Sequence, residues 1–397
     1  MLMTTIILIA ALVILLCVTS AKLGSKVNIP YLILFMLVGV LFGSSGLFKI
    51  EFNDYKLTEN ICSIALVFIM FMGGFNTDFA AAKKYVPKAL VLSTIGVVST
   101  TFITTGLCML VLKMKFEDAF LIGSVISSTD AASVFNVLRK NNITLKMGTG
   151  PILEVESGSN DPAAYLLTLI AVSIKNGTGT GNIPLMVFLQ VAVGCTVGFG
   201  LSWLTLFLLK KTHLILESQD PMYFTAMVIA CYGISGLLSG NAYLSVYIMG
   251  IVLGNAHFNN YTSLSHYFDG INSLCEILIF FLIGLLSTPS EIVSILPQAL
   301  MVAVFITFVS RPVSVFGLIS IFPGRNLRQM TLVSWAGLRG ASSCVFAIMA
   351  VSMCTEATSD LFHIVFIVSL LSVSIQGALL PPISKALKMD EKPTEEQ

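Results

Sequence analysis

Three carboxylates and an amide crowd into Glu154-Val155-Glu156-Ser157-Gly158-Ser159-Asn160-Asp161, directly ahead of an apolar run from Ala163 to Ile174. If a helix begins near Pro151, Asp161 lies ~15 Å along it at 1.5 Å per residue, about the middle of a ~30 Å hydrocarbon core. An ionisable side chain at that depth costs a few kcal/mol or more, which makes it a functional-site candidate. At about 100° per residue, Ser157 and Asp161 share one face, and Glu156 and Asn160 share another about 100° round. The first face suits an oxygen cage for a dehydrated monovalent cation, Na+ or K+. Glu156 faces elsewhere and needs a buried counter-charge, for which Arg311 and Arg339 are the available cations. A buried Glu–Arg pair is structural more often than catalytic, so Glu156 reads as an architectural strut.

The elements that must position these groups are membrane helices. Of 397 residues, 56% are hydrophobic and only 11% charged, against about 25% charged in a soluble domain. Mean hydropathy is +0.91 and net charge +1, so neither a nucleic-acid partner nor a steering field is suggested. The eight cysteines are scattered and form no Cys-x-x-Cys pair, and read as small hydrophobes. The first apolar run lacks a basic flank and reads as a retained span rather than a signal peptide. Apolar runs bounded by charges or Gly/Pro/Asn clusters predict about thirteen transmembrane helices on a ~20-residue criterion. They are Met3–Ala21, Ile29–Phe48, Ile61–Phe75, Leu90–Leu112, Phe116–Leu138, Pro151–Ile174, Ile183–Leu209, Met222–Leu238, Ala242–Leu253, Ile271–Leu286, Ile295–Phe322, Met330–Met353 and Leu361–Leu380. Residues 1–384 form the transporter domain, and 385–397 a short polar tail expected to be disordered.

Basic residues set the orientation. Lys22, Lys26, Lys83, Lys84, Lys88, Arg139, Lys140, Lys146, Lys210, Lys211, Arg325, Arg328, Lys385, Lys388 and Lys392 fall on one side; Lys49, Lys56, Lys113, Lys115 and Lys175 fall on the other. The richer side is cytoplasmic by the positive-inside rule, which puts the N-terminus outside and the C-terminus inside a cell membrane. Only Arg311 and Arg339 of the 22 basic residues sit within apolar runs.

The fifth and twelfth runs are interrupted alike, by Ile126-Ser127-Ser128-Thr129-Asp130-Ala131-Ala132-Ser133 and by Trp335-Ala336-Gly337-Leu338-Arg339-Gly340-Ala341-Ser342-Ser343. Paired interruptions point to a site between two repeats, here spans one to six and eight to thirteen, inverted by the seventh as connector. If both helices break, Asp130 answers the positive half-helix ends and Arg339 the negative ones, and freed carbonyls near Thr129 become cation ligands. Ser127, Ser128, Ser342 and Ser343, taken singly, read as small residues that let helices pack closely. Glu154 could line a cytoplasmic funnel, but reads first as a first-turn acid favourable at a helix N-terminus. Glu276 marks either a second polar path or a helix–helix hydrogen bond. Desolvation favours a protonated carboxyl and a bound cation favours the ionised form, so one carboxylate can hold a proton or a cation but not both. Asp161 is the candidate for that shared group, and neutral Asn160 beside it implies one proton per cation and electroneutral exchange.

Together these motifs resemble the cation/proton antiporters of the NhaP and sodium/hydrogen exchanger type. Ser128-Thr129-Asp130-Ala131-Ala132 is similar to that family's fifth-helix motif, and Glu156-Ser157-Gly158-Ser159-Asn160-Asp161 to its sixth-helix Glu/Asn-Asp motif. Ser310-Arg311-Pro312 and Gly337-Leu338-Arg339-Gly340 resemble its later arginine motifs. Phe281-Leu282-Ile283-Gly284-Leu285-Leu286-Ser287-Thr288-Pro289-Ser290 resembles the bacterial potassium/proton, cell-volume branch. The resemblance implies an all-α fold with crossed broken helices, like the NhaA antiporters, and no cofactor. It also implies a homodimer whose core of spans four to six and eleven to thirteen slides against a scaffold of spans one to three and seven to ten. Thr129, Asp130, Ser157 and Asp161 would contact the cation with Asn160 beside them, Glu156 would pair with Arg311, and Arg339, Gly337 and Gly340 would sit at the helix crossing. Two departures stand out. Relatives carry an acidic residue where Met72 precedes Gly73-Gly74, a position expected to lie outside the cage. Many potassium/proton relatives also append cytosolic regulatory domains, which are not expected here.

Other functions fit less well. A sodium-coupled organic-anion carrier also uses crossed helices, but has no need of a mid-membrane Asn-Asp pair. An intramembrane aspartyl protease typically carries Tyr-Asp and Gly-x-Gly-Asp, whereas these acids follow Thr129 and Asn160. A channel would conduct without proton coupling.

Overall fold

The computed structural model describes residues 2–27, 30–177, 182–212, 219–256, 261–355 and 359–391. These residues are predominantly helical. In chain order the helices are α1 Leu2–Val27, α2 Tyr31–Phe42, α3 Tyr55–Phe75, α4 Val86–Val111, α5 Phe116–Val125, α6 Ala131–Lys140, α7 Thr149–Lys175 and α8 Ile183–Thr212. They continue as α9 Asp220–Leu237, α10 Ala242–Gly254, α11 Tyr261–Leu286, α12 Pro289–Ile319, α13 Leu327–Trp335, α14 Ala341–Met353 and α15 Asp360–Ala386. Among the described residues, seven helices are long and apolar enough to cross a membrane. The side chains of Lys26, Lys210 and Lys211, and all of Lys392, lie outside the described residues.

The interruptions expected in two apolar runs are breaks. Helix stops at Val125 and resumes at Ala131, where the Asp130 carboxylate accepts the Ser133 N–H and so satisfies an orphan donor of α6. It stops again at Trp335 and resumes at Ala341. Three helices also carry a π-helical turn: Leu92–Gly96 in α4, Ile306–Ser310 in α12 and Ser372–Gln376 in α15. A π turn leaves carbonyls without their usual partner, and in α4 a hydroxyl from the facing helix takes one up. Ser314 donates to the Gly96 carbonyl (3.0 Å), while Ser99 bonds Ser314 (2.7 Å) and Thr104 bonds Ser310 (2.9 Å), lacing α4 to α12.

Most of the buried apolar residues form one cluster that runs through α2, α3, α5, α7, α10, α11, α14 and α15. Helix α2 packs along α11, α10 and α14 along α3, and α5 along α7. By contrast α8 leaves Phe188, Phe199 and Trp203 exposed, a surface suited to lipid or to another chain.

The polar tail is more ordered than its composition suggests. Met389 is buried among Leu138, Ile143, Leu332, Val333 and Leu380. Its carbonyl accepts the Lys146 N–H at 2.9 Å, and Asp390–Glu391 pairs antiparallel with Thr144–Leu145. One buried methionine thus anchors the residues the sequence assigns to disorder, and residues 392–397 lie outside the described residues.

Candidate functional site

The two breaks cross each other. The Asp130 N–H donates to the Leu338 carbonyl at 2.8 Å, a backbone bond from one break to the other. Arg339, 1% exposed, donates from Nη1 to the carbonyls of Ser127 (2.9 Å) and Ser128 (2.5 Å) near the end of α5. Cationic donors at freed C-terminal carbonyls are what a broken helix needs in a dry medium. Two glycines make the crossing possible. A Cβ at Gly340 would collide with the Asp130 carboxylate, and one at Gly337 would come within 2.7 Å of Arg311 Nε.

Helix α7 passes beside the crossing and divides its polar residues by face. On one face Glu156 (1% exposed) and Arg311 (3%) make a two-pronged ion pair, Nη1 to Oε1 at 2.6 Å and Nη2 to Oε2 at 2.8 Å. Asn160 clamps Thr129, donating to its hydroxyl at 2.5 Å and accepting its N–H at 3.4 Å. On the other face Ser157 donates to the Thr129 carbonyl (2.6 Å) and accepts the Ala131 N–H (2.8 Å), so it bridges both sides of the break. Asp161, 3% exposed, accepts a hydrogen bond from the Ser128 hydroxyl, which in turn bonds Ser342 at 2.8 Å.

A cavity of about 390 Å³ opens onto this second face. Asp130, Ser157, Asp161 and Ser342 line its depth, and exposed Arg139 and Asp269 line its rim. Among the described residues no ion pair involves Asp130 or Asp161. The structure therefore brings two carboxylates from separate elements to one water-accessible space, with both deep arginines engaged elsewhere. Such a space can admit a cation or a proton.

Three sequence expectations change. Thr129 and Asn160 do not line the cavity; they are bonded to each other behind it, and the Thr129 carbonyl is taken by Ser157. Ser128 and Ser342 are more than packing residues, because their hydroxyls form a relay onto Asp161. Glu154 is no first-turn acid. With Gly148 in a left-handed conformation (φ 68°), α7 starts at Thr149, which moves Glu154 into the second turn and onto the cavity wall. Met72, expected outside the cage, lines the wall that α3 lends to the cavity, together with Gly73. Sequence reasoning left Glu276 open and missed its partners: it receives hydrogen bonds from Tyr31 and Asn272, and all three line the same cavity.

The comparisons with known proteins agree with this geometry. The profile described as "Sodium/hydrogen exchanger, transmembrane" matches residues 7–386. The chain is 32% identical over 387 residues to the K(+)/H(+) antiporter NhaP of Alkalimonas amylolytica, covering 97% of this chain and 67% of that protein. It is 31% identical over 395 residues to the K(+)/H(+) antiporter NhaP2 of Shewanella baltica (strain OS223), with the same coverage. The sodium proton antiporter MjNhaP1 of Methanocaldococcus jannaschii superposes with a TM-score of 0.81 at 21% identity, over 98% of this chain and 99% of that one. The broken crossed helices, the acids left without a basic partner and these kinships lead to one conclusion: the chain belongs to the sodium/hydrogen exchanger family.

Proposed function

We propose that the chain exchanges Na+ or K+ for H+ across a cell membrane, with cation and proton competing for Asp161. The observation that carries this reading is that Asp130 and Asp161 line one cavity while Glu156 has taken Arg311 and the crossing carbonyls have taken Arg339. A cation entering the cavity meets the two carboxylates with the Ser157 hydroxyl beside them; Thr129 and Asn160 hold the break rigid from behind. The Ser128 hydroxyl points its hydrogen at Asp161, which supports the ionised carboxylate when neither cation nor proton is bound. Because the loaded forms carry the same charge, exchange is electroneutral.

The wider arrangement follows the same reading. Breaks in the fifth and twelfth runs, together with π turns in α4 and α12, fall at matching places and support thirteen spans in two inverted six-helix repeats. Spans four to six and eleven to thirteen form the moving core; spans one to three and seven to ten form a scaffold that dimerises. The C-terminus and the rim with Arg139, Glu154 and Asp269 face the cytoplasm, so the cavity is open inward.

The test is a proteoliposome assay with a trapped pH dye. Adding Na+ or K+ without organic substrate should collapse an imposed pH gradient, and Asp161→Asn should not. Net charge movement under an imposed membrane potential would overturn the electroneutral stoichiometry. The dose series in Na+, K+ and Li+ ranks the cations.

A further inference from the structure

Glu276 is the one deep cavity acid that the exchange reading leaves without a task. It is buried on α11 and takes part in none of the ion pairs among the described residues. Its two oxygens are nonetheless provided for. Oε2 accepts from the Tyr31 hydroxyl of α2 at 2.9 Å, and Oε1 accepts from Asn272 Nδ2, one turn earlier on α11, at 3.1 Å. The Tyr31 oxygen in turn accepts from Asn136 Nδ2 at 2.6 Å. Asn136 belongs to α6, the half-helix whose first turn is capped by Asp130 six residues earlier.

The hydrogen bonds therefore run in one direction, Asn136 to Tyr31 to Glu276, and end on a carboxylate. In a buried, low-dielectric setting each link of such a chain polarises the next. The chain spans three helices that are distant in sequence, and it ties the half-helix at the ion site to α2 and α11, which pack along each other. Any tilt or slide of α6 relative to that pair must break the Asn136–Tyr31 link. Packing alone does not require this: an apolar residue at 276 would fill the site without placing a carboxylate beside Asp130 and Asp161, whose cavity it shares.

We infer that Asn136, Tyr31 and Glu276 form a latch that holds the Asp130-capped half-helix in its cavity-open position, which makes Glu276 and Tyr31 positioning residues for cation uptake. This rests on the exchange reading only in assigning the held state to cation entry. The latch stabilises the state that accepts the cation, so releasing it lowers the population of that state. The apparent affinity then falls in proportion to the population lost, while the chemistry at Asp161 is untouched.

Tyr31→Phe removes one hydroxyl and keeps the ring, so the packing of α2 survives. With the full chain in lipid nanodiscs, Tyr31→Phe and Glu276→Gln should each speed hydrogen–deuterium exchange over Ala131–Lys140, with no ion gradient present. In proteoliposomes each should raise the cation KM about threefold to tenfold and leave the maximal rate within about twofold. The double variant should be no worse than either single one, because both cut the same chain. Unchanged protection of Ala131–Lys140 in Tyr31→Phe would overturn the latch. So would loss of turnover in Glu276→Gln alongside a normal Tyr31→Phe, because Glu276 would then be an ion or proton ligand in its own right. If the wild type moves no cation, the exchange reading fails, and the protection measurement still decides whether the latch exists.

Discussion

Glu156 and Asp161 are five residues apart on one helix, both buried and both acidic, and they have opposite fates. Glu156 turns towards α12 and meets a guanidinium with both oxygens. Asp161 turns towards the cavity and meets only serine hydroxyls, those of Ser128 and Ser342. On the proposed reading, burial does not separate a structural acid from a working one in this protein; the availability of a counter-charge does. An acid locked to arginine has no reason to release its partner, whereas an acid held by a hydroxyl is open to whichever cation arrives. The same division holds at the crossing, where Arg339 is committed to backbone carbonyls and Asp130 keeps a face on the cavity.

The largest expected effect tests the working side. Asp161→Asn keeps size and hydrogen-bonding capacity but cannot carry the charge that alternates between cation and proton. Exchange in proteoliposomes should fall to background, about 100-fold or more, while size-exclusion profile and thermal unfolding stay close to wild type. Full activity in that variant would abolish the distinction drawn between the two acids.

The structural side should fail differently. Arg311→Ala leaves Glu156 buried and unpaired, a loss of about 3–5 kcal/mol, so yield and unfolding temperature should drop together. Replacing both partners by apolar residues of similar shape, Glu156→Leu with Arg311→Met, removes both charges and should recover much of the folding yield. A double variant that folds and exchanges at a rate near wild type marks the pair as a strut. One that folds but is inert would move Glu156 to the working side.

A smaller effect is expected at the crossing. At Gly340 an added methyl meets the Asp130 carboxylate, so Gly340→Ala must push that side chain out of the cap. Losing a cap typically costs about 1 kcal/mol, so unfolding should be mildly affected while cation KM rises severalfold through the displaced Asp130. An unaltered KM in a folded Gly340→Ala protein would dissociate Asp130 from the cation path.

How far the sequence discloses this comparison follows from where each signal lies. The acids, the two polar interruptions and the two lone arginines are local anomalies against an apolar background, so they can be read one helix at a time. Periodicity even separates the Ser157/Asp161 face from the Glu156/Asn160 face. It cannot choose between Arg311 and Arg339 for Glu156, because that depends on which helix lies alongside α7. Nor could it find the hydroxyl relay or the latch. Ser128 acts through residues on α7 and α14, and Tyr31 lies 105 residues from Asn136 and 245 from Glu276. Serine, tyrosine and asparagine are ordinary in membrane helices, so nothing in their type marks them before the helices are packed. That Met72 shares the cavity is hidden for the same reason: it follows from the packing of α3.

The finest test of the comparison is the hydroxyl relay itself. Ser128→Ala removes the donor that Asp161 accepts, yet the backbone carbonyl of residue 128 stays available to Arg339, so the crossing should survive. Water in the cavity can replace part of the lost bond, which limits the penalty to less than that of a dry site. The cation KM should therefore rise about threefold to tenfold with the maximal rate nearly unchanged. Ser342→Ala removes the second hydroxyl, which bonds Ser128 and also faces Asp161, and should give a smaller change in the same direction. If the two variants were equal, or their order reversed, Ser342 would be the principal donor to Asp161 or a ligand of the ion itself. In either case the contrast with Glu156 lies in the kind of partner, hydroxyl against guanidinium, and not in their number.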